Sequence, residues 1–309
     1  MRACVDIGGT KVAVSLAEAG SEQLQARQTE PTAKTGDNDA VAQQVLRLID
    51  AACAQAGVSA QTIESVGVSS AGPFVLKDGC VELATPNICG GLAGPARGLP
   101  NDWMTAVVEA PLRQRFARVR VENDAVAALE AERRWGALQG MDHCAYVTWS
   151  TGVGVGLCVD GHALRGKNGN AGHAGHTFVS DDDNHDALCG CGNVGDVEGL
   201  IAGNSVERRF TQPAAALFAA AVAGEPQALQ RTDALCRVMG RMLYNLVATL
   251  DLQAISLGGS VYWHNREFLL PRLQAEIDGR LLPLTRGVRL LSAGLGDKVG
   301  DYAALALVD

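Results

Sequence analysis

Two glycine-rich segments, Asp6-Ile7-Gly8-Gly9-Thr10-Lys11 and Ser150-Thr151-Gly152-Val153-Gly154, combine bare backbone with a hydroxyl or an ammonium group. Such turns suit phosphate, because a missing Cβ lets N–H donors approach an anion closely while Thr or Lys adds a donor or a charge. Taken singly, each also fits a plain β-turn. A third glycine pair, Gly258-Gly259, follows the short apolar run Ile255-Ser256-Leu257. Asp124 sits beside Asn123, after the apolar Val119-Arg120-Val121 and before a helical stripe at Val126, Leu129 and Trp135. A carboxylate at such a strand-to-helix junction feels the positive end of the helix dipole and stays ionised near neutrality. That suits a general base, and it equally suits a simple helix cap.

The elements that must carry these residues follow from apolar periodicity. Cys4 to Ile7 and Val12 to Leu16 read as two strands of a hairpin around the first glycine turn. Asp37, Asn38 and Asp39 offer caps for a helix with Val41, Val45, Leu46, Leu48, Ile49 and Ala52 on its apolar face, closed by Gly57. One amphipathic helix is thus expected directly after the hairpin. Ile63 to Ser69 reads as a buried strand, and the Gly/Pro-rich Pro86 to Pro100 as a long loop of the kind that faces ligands. Ala145 to Trp149 and Val155 to Val159 repeat the hairpin pattern around the second glycine turn, and the helical spacing from Leu235 to Leu250 leads into the strand before Gly258. Gly161 to Lys167 nearly spells a P-loop, but Asn168 occupies the Ser/Thr position and glycines follow instead of a helix. His173-Ala174-Gly175-His176 lacks the Glu of a zinc-protease motif.

Composition narrows the class. The chain has 309 residues, 47% hydrophobic and 19% charged, with 36 glycines, which fits a compact α/β protein of two domains or one large one. Its net charge of −8, without a Lys/Arg cluster, argues against nucleic acid as a partner. The longest apolar stretch, Ala214 to Gly224, is about half the roughly 20 residues that span a bilayer, and the amino terminus lacks the charged-then-apolar pattern of a signal segment. No membrane partner and a cytoplasmic location are therefore expected. Nine cysteines, an odd number at irregular spacing, read as buried small hydrophobes plus a metal site, and only Cys189 and Cys191 stand close together.

The order of these motifs resembles the actin-like ATPase fold, an α/β, ribonuclease H-like architecture in which two related domains clasp a nucleotide. Within it the chain resembles the ROK family of repressors and sugar kinases along essentially its whole length. The resemblance is carried most specifically by Gly172-His173-Ala174-Gly175-His176 and by Cys189-Gly190-Cys191-Gly192-Asn193-Val194-Gly195-Asp196-Val197-Glu198. Family members usually show G-E-x-G-H and C-x-C-G-x-x-G-C-x-E, so His173 stands in place of Glu and Asp196 in place of the third Cys. His at the first position, with the Asn87 to Gly91 loop, is similar to bacterial N-acetylmannosamine kinases.

The resemblance implies a smaller domain over residues 1–122, with a final helix at about 297–309 packing back on it, a larger domain over 123–296, and substrates in the cleft between them. Asp124 becomes the catalytic base, and Asn123, Asp124, His173, His176 and Glu198 the sugar-binding residues; without the resemblance the two histidines read as plain loop residues. Asp6, otherwise a turn former, lies near the metal and phosphates of ATP with Mg²⁺. Gly8, Gly9, Thr10, Lys11, Thr151, Gly152 and Gly154 surround the phosphoryl groups, and Gly258 and Gly259 face the adenosine. His176, Cys189, Cys191 and Asp196 form a weakened structural Zn²⁺ site; the same turn is also plausible without metal, with Asp196 capping a helix at Val197. The expected reaction is ATP-dependent phosphorylation of the 6-hydroxyl of a hexose or hexosamine, with N-acetylmannosamine first and glucose or an aminoglucose such as kanosamine as alternatives. The family also holds sugar-sensing regulators with an added DNA-binding segment, and this chain begins at the first phosphate hairpin. A homodimer is usual in the family.

Overall fold

A computed structural model describes residues 1–94, 98–180 and 185–308. Two compact units divide the chain: Met1–Ala131 with Arg165–Ala171 and Gly300–Asp309, and Glu132–Leu164 with Gly172–Val299. The expected long loop at Pro86 to Pro100 and the final helix each run partly through residues outside the described ones, at 95–97 and at 309.

The first unit opens with β1 (Arg2–Ile7), β2 (Lys11–Ala17) and β3 (Leu24–Pro31), followed by α1 (Ala40–Ala56). The chain continues through β4 (Ser65–Ser70), β5 (Phe74–Lys77), β6 (Cys80–Leu83), α2 (Gly90–Ala93), β7 (Ala106–Val107), α3 (Glu109–Arg115), β8 (Val119–Asn123) and α4 (Asp124–Trp135). Five strands form a sheet in the order β3-β2-β1-β4-β8, antiparallel in the hairpin and parallel across β1, β4 and β8. β1 and β4 are buried almost throughout, as expected of strands covered on both faces. Val41, Val45, Leu48, Ile49 and Ala52 of α1 bury against Val5, Ile7, Val12 and Val14. Gly57 ends α1 in the left-handed region, its N–H and that of Val58 bonding Ala54 and Cys53 carbonyls. Asp39 precedes the helix as expected, but its carboxylate accepts from the Gln43 side chain and not from a helix N–H.

Two elements depart from the expectation. β3 comes between the hairpin and α1, and its residues alternate half-buried and exposed with only Leu24 and Ala26 apolar before Pro31, so it carries no apolar signal. A small sheet, β5-β6-β7, flanks the expected loop on both sides, and α2 forms a helical turn within it. β4 contains Gly67 because a Cβ there would meet the Ala304 carbonyl oxygen at 2.3 Å, so the chain end packs flush on the strand.

The second unit holds β9 (Cys144–Trp149), β10 (Val153–Val159), β11 (His162–Ala163), α5 (Val197–Ile201), α6 (Gly203–Phe210), α7 (Ala214–Val222) and α8 (Pro226–Leu250). These precede β12 (Ala254–Gly258), α9 (Ser260–His264), α10 (Arg266–Ile277), α11 (Leu282–Thr285) and β13 (Arg289–Ser292), before α12 (Val299–Ala306). Its sheet order, β11-β10-β9-β12-β13, repeats the first sheet strand for strand. Met239, Met242, Leu243 and Val247 of α8 pack in one core with Phe218 of α7 and with Leu269 and Leu273 of α10. All nine cysteines are free thiols, and no described helix is long and apolar enough to cross a membrane.

Candidate active site

In the first unit, Ile7, Ser70 and Asn123 stand in register across β1, β4 and β8, so the first glycine turn and Asp124 leave the same edge of the sheet. The turn is closed by Gly8 N–H donating to Lys11 O at 2.9 Å, and the Thr32 hydroxyl donates to Gly8 O at 2.7 Å. Thr10 and Lys11 are exposed. A Cβ on Gly9 would lie 2.7 Å from Asn87 Cβ, which is why this position is glycine. Asn87 is brought there by a loop that Asn101 organises: its amide donates to Lys34 O and Ile88 O at 3.0 Å, and its carbonyl accepts from Gly90 N at 2.7 Å. Gly90 and Gly91 are bare because Cβ atoms would strike the Asn101 and Asp102 carbonyls.

Burial pushes the Asp6 carboxyl above the usual carboxylate range, against the pull of Lys11 and Arg27. Asn123 is buried and Asp124 exposed, and both side chains accept from Ala125 N–H, at 3.0 and 2.8 Å. The junction thus caps α4 with Asn123 while the Asp124 carboxylate also faces solvent. Just before it, Glu122 is buried between Arg120 (3.1 Å) and Arg165 (3.0 Å); burial raises its pKa while both guanidinium groups pull it down.

In the second unit, Ser150 N–H donates to Gly152 O at 2.9 Å, and Val153 N–H donates to Glu198 Oε2 at 2.9 Å. A Cβ on Gly152 would lie 2.7 Å from that same oxygen. The segment Gly172 to His176 lies directly on β10: Cβ atoms at Gly172 and Gly175 would meet the Val155 and Val153 carbonyls at 2.2 and 2.3 Å. That contact dictates the glycine spacing, and it leaves His173 and His176 half-buried with ring centroids 6.0 Å apart. Gly258 and Gly259 are equally constrained, by Tyr146 OH and by Thr148 Oγ1 with the Trp149 carbonyl, and Gly259 has a positive φ of 85°. The near-P-loop at Gly161 is only the turn between β10 and β11, with no helix after Lys167.

His176, Cys189, Cys191 and Asp196 place one ligand atom each within 4.8 Å of one another. Asp196 Oδ2 is 3.2 Å from His176 Nδ1 and 3.4 Å from Cys191 Sγ, and Cys189 Sγ is 3.5 Å from His176 Nδ1. Tetrahedral zinc with ligands at about 2.0–2.3 Å has ligand-to-ligand edges of roughly 3.3–3.8 Å, so these three separations and the N, S, S, O donor types are compatible with that ion. The same Asp196 is fully buried and caps α5 through Oδ1, which accepts from Gly199 N–H at 2.7 Å. Burial raises the Asp196 pKa, but His176, Gly199 N–H and the two thiols outweigh it and hold the carboxyl below its usual range. His176 is raised chiefly by Asp196, and burial drives the Cys189 thiol upward. Glu198 Oε1 lies 3.3 Å from Cys189 Sγ, so one carboxylate joins the cysteine turn to the second glycine hairpin.

The profile of the ROK family matches residues 2–309. The chain belongs to the ROK family. A glucokinase of Aeropyrum pernix is 28% identical over 98% of this chain and 95% of its own length. An N-acetylmannosamine kinase of Salmonella newport is 32% identical over 83% and 82%. A ROK family glucokinase of Streptomyces griseus, solved with glucose and AMPPNP, superposes with a TM-score of 0.72 at 28% identity, over 99% of this chain and 98% of that one. This ROK protein has the actin-like ATPase fold and is an enzyme, a sugar kinase that transfers phosphate from ATP to an alcohol group. Sequence patterns single out Gly8, Gly9, Gly152 and Gly154 of the two hairpin turns. They carry no sign of Asn101, which reaches back to Lys34 O, or of Glu122, which Arg165 reaches from 43 positions on.

Proposed function

We propose that this ROK kinase phosphorylates the 6-hydroxyl of N-acetylmannosamine. The observation that carries the proposal is the half-buried pair His173 and His176 on a segment locked to β10, with Glu198 tying the cysteine turn to the second hairpin. A carboxylate at position 173 would accept two hydrogen bonds from vicinal hydroxyls, whereas a neutral imidazole offers one donor and one acceptor, which suits an amide-bearing or axial substituent better. Asn123, Asp124, His173, His176 and Glu198 bind the sugar. Asp124 accepts the proton of the 6-hydroxyl as its oxygen attacks the γ-phosphorus and ADP leaves, and most acceleration comes from positioning and charge stabilisation.

Gly8, Gly9, Thr10, Lys11, Thr151, Gly152 and Gly154 serve the phosphoryl groups, and Gly258 and Gly259 the adenosine. Mg²⁺ takes oxygen ligands, and Asp6 is the carboxylate beside the first hairpin suited to it; bound there it would neutralise phosphate charge. A structural Zn²⁺ held by His176, Cys189, Cys191 and Asp196 would fix the ring of His176. The enzyme acts in the cytoplasm as a homodimer, with residues 1–122 and the final helix as the smaller domain and 123–296 as the larger.

Glucose is the second reading, favoured by the glucokinases among the relatives. Measuring kcat/KM for N-acetylmannosamine, glucose and kanosamine decides between them. The expected order puts N-acetylmannosamine first, and His173→Glu shifts preference toward glucose. A wild-type preference for glucose or kanosamine rejects the substrate and leaves the kinase assignment intact.

A further inference from the structure

We infer that Glu132 is a positioning residue for the nucleotide, holding the Gly294–Leu295 turn and the end of β12 together as one wall beside Gly258 and Gly259. The inference rests on the proposed nucleotide role of that glycine pair. Glu132 lies in the last turn of α4 and is completely buried. Its carboxylate accepts four hydrogen bonds: Oε2 from Ala137 N–H and Gly294 N–H at 2.9 Å and from the Ser256 hydroxyl at 3.1 Å, and Oε1 from Leu295 N–H at 2.9 Å. A buried carboxylate is tolerated only when its charge is answered, and here N–H and O–H dipoles answer it.

Two glycines make the arrangement possible. A Cβ on Gly136 would lie 2.5 Å from the Glu132 carboxyl carbon, and one on Gly294 would lie 2.5 Å from Ala137 N. The pinned turn continues into the nucleotide side of the sheet. Leu257 and Ser292 are paired across β12 and β13, and Ala293 N–H donates to Leu257 O at 2.9 Å, immediately before Gly258. Gly296 abuts Trp263, where a Cβ would come within 2.8 Å of the indole, and Tyr262 OH shares a 2.7 Å hydrogen bond with Ser292. Both aromatic residues belong to α9, the helix that starts directly after Gly259. The carboxylate therefore selects one placement of the turn against the helix that follows the glycine pair. An apolar side chain of similar volume would fill the space without selecting it.

Glu132→Gln replaces one acceptor oxygen by an NH₂ group that opposes N–H donors. Gly294→Ala pushes the turn away from Ala137 and leaves the carboxylate intact, and Ser256→Ala removes a single donor. Stranding buried donors is expected to raise the KM for ATP about tenfold in E132Q and G294A, with S256A changing it less than about threefold. The KM for sugar and kcat at saturating ATP should move less than about threefold in all of them. Should E132Q fail to fold, G294A decides the matter alone. A folded G294A or E132Q with a lowered melting temperature and an unchanged ATP KM overturns the inference and reduces Glu132 to a purely structural part. Gly259→Ala separates the two levels. If it raises the ATP KM while E132Q and G294A do not, only the role of Glu132 fails; if it leaves the ATP KM unchanged, the nucleotide reading of the glycine pair fails and this inference with it.

Discussion

The two sheets have the same strand order and the same hairpin, yet the hairpin turns are secured by different means. In the first unit the turn at Gly8 and Gly9 is held by backbone, by the Thr32 hydroxyl and by close packing on Asn87. In the second, a carboxylate does the work, since Glu198 takes Val153 N–H and fills the space a side chain at Gly152 would need. The edge strands differ as well. β8 ends in Asn123 and leads to Asp124, whereas β13, its counterpart, ends in Ser292 and leads to Ala293 and Gly294 with no acid. A repeated scaffold thus carries two glycine turns, while the acid proposed as base stands on one copy and the histidine and cysteine segments stand on the other.

Removing the acid from the one edge that has it should produce the largest effect. Asp124→Asn is expected to lower kcat by about 10²–10⁴, while calorimetry finds sugar and ATP affinities within a few fold of wild type. Near-wild-type turnover in this variant would erase the functional difference between the edges. The two glycine turns offer a paired comparison of intermediate size. Gly9→Ala drives a methyl into Asn87 Cβ and should raise the KM for ATP alone, whereas Gly152→Ala displaces Glu198 and should raise the KM for both ATP and sugar, each by about tenfold. Equal patterns in the two variants would mean that Glu198 does not link the second turn to the sugar residues.

The smallest effect concerns the cysteine segment. Protein purified without chelator should carry close to one zinc per chain by elemental analysis, because one histidine, two thiols and a carboxylate converge there. Asp196→Ala should lose that zinc and reduce unfolding free energy by roughly 1–3 kcal/mol, since it also removes the cap of α5. Zinc-free wild type that keeps full activity and stability would show that hydrogen bonds through Asp196 suffice to build the segment.

Local patterning was enough to find the hairpins, α1 and the strand before Gly258, because burial on both faces or on one helical stripe leaves a period in the residues themselves. β3 escaped because an edge strand with a polar face has no such period, and it was visible only once paired with β2. The same limit governs the site. Glycines at 9, 152, 172 and 175 were legible as types, but the reasons for them are contacts with Asn87, Glu198 and the β10 carbonyls. Glu132 looked like any polar residue on a helix, since its partners at Gly294 and Leu295 lie more than 160 positions away.

On the proposed reaction, this scaffold carries phosphate from ATP to the primary hydroxyl of a sugar. Incubating the enzyme with ATP, Mg²⁺ and N-acetylmannosamine and following the mixture by ³¹P NMR tests it most directly. ADP and a sugar 6-phosphate are expected to appear in equal amounts. ADP forming without sugar phosphate, for this sugar and for glucose and kanosamine alike, would contradict it.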